Sequence, residues 1–172
     1  MPIGDRLGFL YRLNTDGTLA RLFGDVGCSN GMGFTPDLQR MYFTDSVPRQ
    51  IYLFDYDLGS GDLSDRRVFA DTPDTPGVPD GMTVDAEGYV WSARWDGGCL
   101  VRYAPDGTED RRVEFPAKKV SCLTFGGDDC TDMYVTTAGG RDKESNGPGA
   151  GALFRVNLGI PGTPEFRSAV RP

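Results

Sequence analysis

Apolar residues fall in short runs separated by polar turns, and the runs resemble one another at regular distances along the chain. Asn30-Gly31-Met32-Gly33-Phe34 has a counterpart in Asp80-Gly81-Met82-Thr83-Val84 and a weaker one in Ser121-Cys122-Leu123-Thr124-Phe125, at offsets of 50 and 41 residues. A polar turn follows each: Thr35-Pro36-Asp37, Asp85-Ala86-Glu87-Gly88 and Gly126-Gly127-Asp128-Asp129. A second run then comes in every copy, as Met41-Tyr42-Phe43-Thr44, Tyr89-Val90-Trp91-Ser92 and Met133-Tyr134-Val135-Thr136. These are aromatic and β-branched residues, which suit the pleated surface of a strand. Third runs are Ile51-Tyr52-Leu53-Phe54, Leu100-Val101-Arg102-Tyr103 and Leu153-Phe154-Arg155-Val156. Leu10-Tyr11-Arg12-Leu13 joins that class, and its turn Asn14-Thr15-Asp16-Gly17-Thr18 matches Ala104-Pro105-Asp106-Gly107-Thr108. Outer runs come last: Leu22-Phe23-Gly24-Asp25, Arg67-Val68-Phe69-Ala70 and Arg112-Val113-Glu114-Phe115.

Four short antiparallel strands recurring every 40 to 50 residues describe a propeller blade. The pattern therefore predicts an all-β fold, a partial β-propeller of about three and a half four-stranded blades in a single incomplete domain over 1–172. The blade pieces fall at about 10–26, 30–71, 80–116 and 121–170, with Phe166-Arg167-Ser168-Ala169-Val170 as the candidate fourth strand of the last. Closed propellers have roughly four to eight blades. A shorter array leaves a bare apolar face at each end and an open strand edge at 10–26, and such surfaces invite another chain. The expected partner is a second copy, as a homodimer, or missing N-terminal blades.

Composition narrows the chemistry. The 172 residues carry no histidine, which excludes a Ser-His-Asp triad, a histidine base and histidine-ligated metal. Of the 25 acidic residues 20 are Asp, which favours turns and hard-cation coordination over helices. With 24 Gly and 12 Pro the chain is rich in turns. A net charge of −7 argues against a nucleic-acid partner, and no apolar run reaches the ~18 residues of a membrane span. Met1-Pro2-Ile3-Gly4-Asp5-Arg6 has no basic stretch followed by an apolar one, so a secretory signal is not expected and the predicted location is cytoplasmic. Cys28, Cys99, Cys122 and Cys130 form no Cys-x-x-Cys pair and read as reduced, mostly buried thiols.

The first strand of a blade is the innermost, so equivalent positions on successive first strands converge on the central channel. Asn30 and Asp80 are such positions, and their oxygens suit a hard cation such as calcium. Asn-Gly and Pro-Asp-Gly are also ordinary turn chemistry, so a turn remains the competing reading of Asn30-Gly31 and Pro79-Asp80-Gly81. Ser121-Cys122, at the third equivalent position, reads as channel lining. Residues 71–79 read as an acidic connector, and the glycine-rich stretch 139–151, which lacks the Lys-Ser/Thr of a phosphate loop, as a long loop. Arg94-Trp95-Asp96 reads as lining or packing near the channel mouth, and Arg66-Arg67 and Arg111-Arg112 as solvated edge charges.

Asn30-Gly31-Met32, Phe54-Asp55-Tyr56-Asp57, Ser64-Asp65-Arg66-Arg67, Pro79-Asp80-Gly81-Met82, Asp85-Ala86-Glu87-Gly88 with Trp91, and Phe125-Gly126-Gly127 with Met133-Tyr134-Val135-Thr136 together resemble the regucalcin/gluconolactonase (senescence marker protein) family. The match is collinear over about 10–162, and it places the chain in the C-terminal part of a six-bladed propeller. The resemblance implies metal-dependent hydrolysis of small sugar lactones, with Asn30 and Asp80 as metal ligands and Asp80 also as general base. Calcium is the favoured metal and zinc the alternative. The resemblance also implies a third ligand, a Glu of the first blade, and an Arg and an Asn that hold the sugar. None of the five Glu here occupies a matching position, so weak or absent activity is expected of the isolated chain. The alternatives are an inactive truncated propeller and a propeller-like binding module.

Overall fold

The computed structural model describes residues 5–167, so Ser168, Ala169 and Val170 of the expected last strand lie outside the described residues. Four antiparallel sheets follow one another along the chain. The first pairs β1 (Gly8–Leu13) with β2 (Leu19–Val26). The second is a meander of β3 (Ser29–Phe34), β4 (Arg40–Asp45), β5 (Gln50–Tyr56) and β6 (Leu63–Asp71). The third repeats it with β7 (Val78–Val84), β8 (Val90–Trp95), β9 (Cys99–Tyr103) and β10 (Glu109–Glu114). The fourth has β11 (Val120–Gly126), β12 (Asp132–Thr137) and β13 (Leu153–Asn157). Among the described residues the one helical element is a single 3-10 turn, Glu144–Asn146. Among the described residues no helix is long and apolar enough to cross a membrane.

The repeated turns fold alike because their side chains close them alike. Asp16 Oδ1 accepts the backbone N–H of Thr18 at 2.9 Å and its hydroxyl at 2.6 Å. Asp106 does the same for Thr108 at 3.0 and 2.6 Å. This is the Asx turn that makes Asp a loop residue.

Sheets stack face to face, and burial follows from which faces are covered. β4, β5, β8 and β9 are almost continuously buried, since both faces of their sheets meet a neighbour. One core layer, Val26, Met41, Phe43 and Phe54 with Phe23, fills the space between the first and second sheets. A second layer joins Tyr42, Ile51 and Leu53 to Val90, Val101 and Tyr103. A third joins Trp91, Ala93 and Leu100 to Leu123, Met133 and Val135. β1 alternates between half-buried and exposed because only one of its faces is covered. Its free face shows Phe9, Tyr11 and Leu13, with Leu19 of β2, all exposed. The far face of the fourth sheet differs. Cys122, Thr124, Tyr134, Thr136, Arg155 and the exposed Leu153 alternate with the core residues there, so that face is mixed, more polar than the aromatic face of β1.

Inside the third sheet is a fully buried ion pair. Asp85, at the turn after β7, accepts the backbone N–H groups of Glu87 and Tyr89 (3.0 Å each) and the Trp91 indole N–H (2.9 Å). Its Oδ2 also receives Arg102 Nε at 2.9 Å and Nη2 at 2.7 Å. Arg102 reaches Glu87 and Asp110 as well, and lies 3.7 Å from the centroid of the Tyr89 ring. Burial would lower its pKa, but the three carboxylates outweigh that and hold it above the ordinary value. Arg94 is packing and not channel lining: it is fully buried, donates to Thr72 Oγ1 (3.1 Å) and the Tyr103 hydroxyl, and its pKa is lowered by burial. The edge arginines are paired rather than merely solvated, Arg67 to Asp55 and Asp65, Arg111 to Asp110 and Arg112 to Glu109, while Arg66 lies over the Tyr52 ring.

Candidate active site

The inner strands β3, β7 and β11 lie side by side, β7 between the other two. Glycines permit that approach. A Cβ built on Gly31 would lie 2.4 Å from the Met82 backbone nitrogen, and one on Gly81 2.7 Å from the Ser121 carbonyl oxygen. Backbone cannot yield as a flexible side chain can, so Asn30-Gly31 and Asp80-Gly81 owe their glycines to close packing within strands. Neither is a turn, because Asn30 and Gly31 sit inside β3 and Asp80 and Gly81 inside β7.

The same irregularity interrupts all three inner ladders. Ser29 faces Asp45 and Met32 faces Phe43, which leaves Asn30 and Gly31 opposite Thr44 alone. Pro79 faces Arg94 and Met82 faces Ser92, which leaves Asp80 and Gly81 opposite Ala93. Val120 faces Thr137 and Cys122 faces Thr136, so Ser121 is the extra residue of β11. A bulge re-aims the side chain it carries and is common beside functional sites.

Asn30 and Asp80 thus occupy equivalent bulges on adjoining inner strands, both half-buried. The Asn30 Nδ2 donates to Ser46 Oγ at 2.8 Å. Asp80 has no ion-pair partner among the described residues. Burial pushes its carboxyl up to about 6, and the Gly81 N–H offsets this only in part. The third bulge adds no carboxylate: Ser121 Oγ donates to its own sheet partner, the Thr136 carbonyl, at 3.1 Å. Cys122 lies against Gly81, and desolvation together with the Asp80 charge pushes its thiol up, which makes it a poor nucleophile. Cys28, Cys99 and Cys130 are also free thiols.

In kind, an amide oxygen and an unpaired carboxylate on adjoining strands are donors that suit a hard cation. In number the set is short, for among the described residues no three His, Cys, Asp or Glu side chains gather to hold a metal. A cavity of about 280 Å³ lies further along the same strands, lined by Met32, Phe34, Met82, Val84 and the segment from Thr163 to Phe166, and does not include Asn30 or Asp80.

The SMP-30/gluconolactonase/LRE-like region, as a sequence profile, matches residues 2–139. The chain belongs to this family. It is 50% identical to pentonolactonase XacC of Haloferax volcanii over 178 residues, covering 99% of this chain and 61% of that protein. It is 37% identical to regucalcin of Gallus gallus, over 94% of this chain and 56% of the relative. Among solved structures, a protein described as the calcium-binding protein regucalcin, from Agrobacterium tumefaciens, superimposes with a TM-score of 0.85 at 30% identity, over 94% of this chain and 56% of that one. The chain spans little more than half the length of the curated relatives it matches.

Two parts of the site were invisible in the linear pattern of this family member. Ser46 sits in the turn after β4, where an Asp-Ser pair looks like loop chemistry. Asp45 before it is fully buried and accepts the N–H groups of Gly27 (3.0 Å) and Cys28 (2.9 Å), which pins the entry to β3. An acid at the end of an otherwise apolar strand was the available signal.

Proposed function

We propose that this chain is a metal-dependent lactonase of the sugar-lactone-hydrolysing type, built on a single incomplete six-bladed β-propeller. Its blade pieces are about 10–26, 30–71, 80–116 and 121–170. The observation that carries the reading is the Asp80 carboxylate, unpaired among the described residues, half-buried and lifted to about 6, on the strand adjoining Asn30. Carboxyl groups kept unpaired and perturbed are more common at functional sites than in structural networks. The name of the Haloferax relative, a pentonolactonase, supports the substrate class. The description of the Agrobacterium protein as calcium-binding supports calcium, with zinc as the alternative.

Asn30 Oδ1 and the Asp80 carboxylate would hold the cation, with water filling the other positions. When bound, a divalent cation polarises the lactone carbonyl and stabilises the charge that develops on its oxygen. Asp80 takes a proton from water as the water oxygen bonds to the carbonyl carbon. The ring C–O bond then breaks, and the departing ring oxygen takes the proton, giving the open hydroxy acid. Without metal, burial raises the Asp80 carboxyl to about 6, and a cation bound there would favour its ionised, proton-accepting form.

Two oxygens from one chain hold a cation loosely, so the isolated chain is expected to turn over lactone far more slowly than ~1 s⁻¹. Calorimetry and lactone hydrolysis test this together: Asp80→Ala should abolish divalent binding and the residual rate, and Asn30→Ala should weaken both. Unchanged calcium affinity in Asp80→Ala would overturn the assignment. The absence of a three-ligand cluster among the described residues favours one second reading, an inactive propeller fragment, which a wild-type rate at background would support.

The exposed face of Phe9, Tyr11, Leu13 and Leu19 is self-complementary in chemistry, and a two-fold pairing of this face buries it without closing a ring. The mixed far face of the fourth sheet, with Cys122, Thr124, Thr136 and Arg155 beside the exposed Leu153, matches the aromatic face of β1 less well than a second copy of that face does. Light scattering should therefore give twice the 18.7 kDa chain mass, and Tyr11→Lys should return it to one. A wild-type species of 18.7 kDa at micromolar concentration would refute the homodimer.

A further inference from the structure

We infer that Ser46 is a positioning residue, which turns the Asn30 side-chain amide so that its oxygen, and not its nitrogen, is offered beside Asp80. The inference rests on the reading of Asn30 and Asp80 as a cation site. Its own warrant is a chain of two hydrogen bonds whose directions can be settled by donor counting.

Ser46 Oγ lies 2.6 Å from the Pro79 carbonyl oxygen. A carbonyl can only accept, so the one hydroxyl proton of Ser46 is committed to it. What remains on Ser46 Oγ is lone pairs. Asn30 approaches that oxygen at 2.8 Å, and the approaching atom must therefore be a donor, Nδ2. Flipping the amide would set Oδ1 against an oxygen with no proton left to give. The network thus fixes the orientation that a side-chain amide otherwise leaves open. Cys28 Sγ, 3.9 Å from the same Nδ2, is a weak acceptor and favours the same orientation. Asn30 Oδ1 is left without a hydrogen-bond partner among the described residues, available to a ligand.

The serine is itself held in place. Its backbone N–H donates to the Cys28 carbonyl at 3.1 Å, and its carbonyl accepts from Arg49 N–H at 3.3 Å. The preceding residue, Asp45, takes the N–H groups of Gly27, Cys28 and Val47, and Arg6 lies 3.3 Å from it. Because Pro79 immediately precedes Asp80, the hydroxyl also ties the backbone entering Asp80 on β7 to the side chain of Asn30 on β3. One hydroxyl thus sets the orientation of one ligand and the spacing of the strand that carries the other.

Ser46→Ala deletes the hydroxyl with little change of volume, and Ser46→Thr keeps it. Two readouts serve: calcium titration, and the side-chain amide resonances of Asn30 with their hydrogen exchange in metal-free protein. Ser46→Ala should weaken calcium about tenfold, the low end for residues that orient a metal ligand. It should also shift the Asn30 amide resonances and speed their exchange, and Ser46→Thr should restore most of both. Melting curves of the variants confirm that each is folded. If the wild type binds calcium and Ser46→Ala binds it equally, the inference falls while the cation site stands. If the wild type takes neither calcium nor zinc, the cation site falls, and an Asn30 amide indifferent to Ser46→Ala then removes the orienting role as well.

Discussion

Asp85→Ala should cost about 3–5 kcal/mol of folding stability, the usual penalty for stripping one partner from a buried ion pair. The substitution removes the acceptor of five hydrogen bonds, from two backbone amides, the Trp91 indole and two nitrogens of Arg102. It leaves the Arg102 guanidinium, 3% exposed as a residue, with only Glu87 and Asp110 at its margins. Since whole domains are stable by about 5–15 kcal/mol, urea titration should find the variant largely unfolded or sharply weakened. Glu87→Ala is the internal control. Its side chain is 56% exposed, and it belongs to the class of surface pairs that contribute ~1 kcal/mol or less. Equal losses in the two variants would show that Asp85 is not the centre of the third sheet.

The second large effect has the opposite sign. Burial lifts the Asp80 pKa from the ordinary 3.8 to about 6, so the folded state holds that proton more tightly than the unfolded chain does. A raised carboxyl contributes its stability in full below pH 4 and loses it as pH climbs through 6, leaving the ionised, half-buried group as a cost at neutral and alkaline pH. Asp80→Asn should therefore stabilise the protein by about 1–2 kcal/mol at pH 8, after allowance for solvent screening, and by almost nothing at pH 4. Denaturant midpoints of the two proteins at both pH values check this. A midpoint difference that does not change with pH would mean that the carboxylate is solvated and unperturbed. Calcium should narrow the gap by stabilising the wild type alone, because a ligand that binds the folded state adds to its stability. A residue that costs stability where it stands is accounted for by the chemistry proposed for it.

Strand positions were readable in the chain because each run carries its own evidence. Met41-Tyr42-Phe43 and Val90-Trp91-Ser92-Ala93 are apolar throughout, or nearly so, as sheets covered on both faces require. The matched turns at 14–18 and 104–108 close by local hydrogen bonds that span two residues. Asn30 and Asp80 were found as equivalent repeat positions, since a repeat places equal residues equally in space.

The rest depended on what lies across a gap that sequence spacing does not measure. Asp85-Ala86-Glu87-Gly88 reads as a polar turn, and it is one; that Trp91 of β8 and Arg102 of β9 converge on its carboxylate follows from strand register. Arg94 reads as a residue near a channel mouth, yet the stacking of the second and third sheets buries it completely. The bulges at Asn30, Asp80 and Ser121 are a property of ladders, visible only when both strands are paired. Ser46 acquires its partners from two other strands, at separations of 16 and 33 residues. Local sequence determined the strands, the turns, the family and the two polar positions on the inner strands, because those rest on short-range sterics and on hydrophobic pattern. Tertiary structure decided which groups are buried, which are paired and which way an amide points, because desolvation and hydrogen bonding are set by neighbours that the chain brings together only on folding.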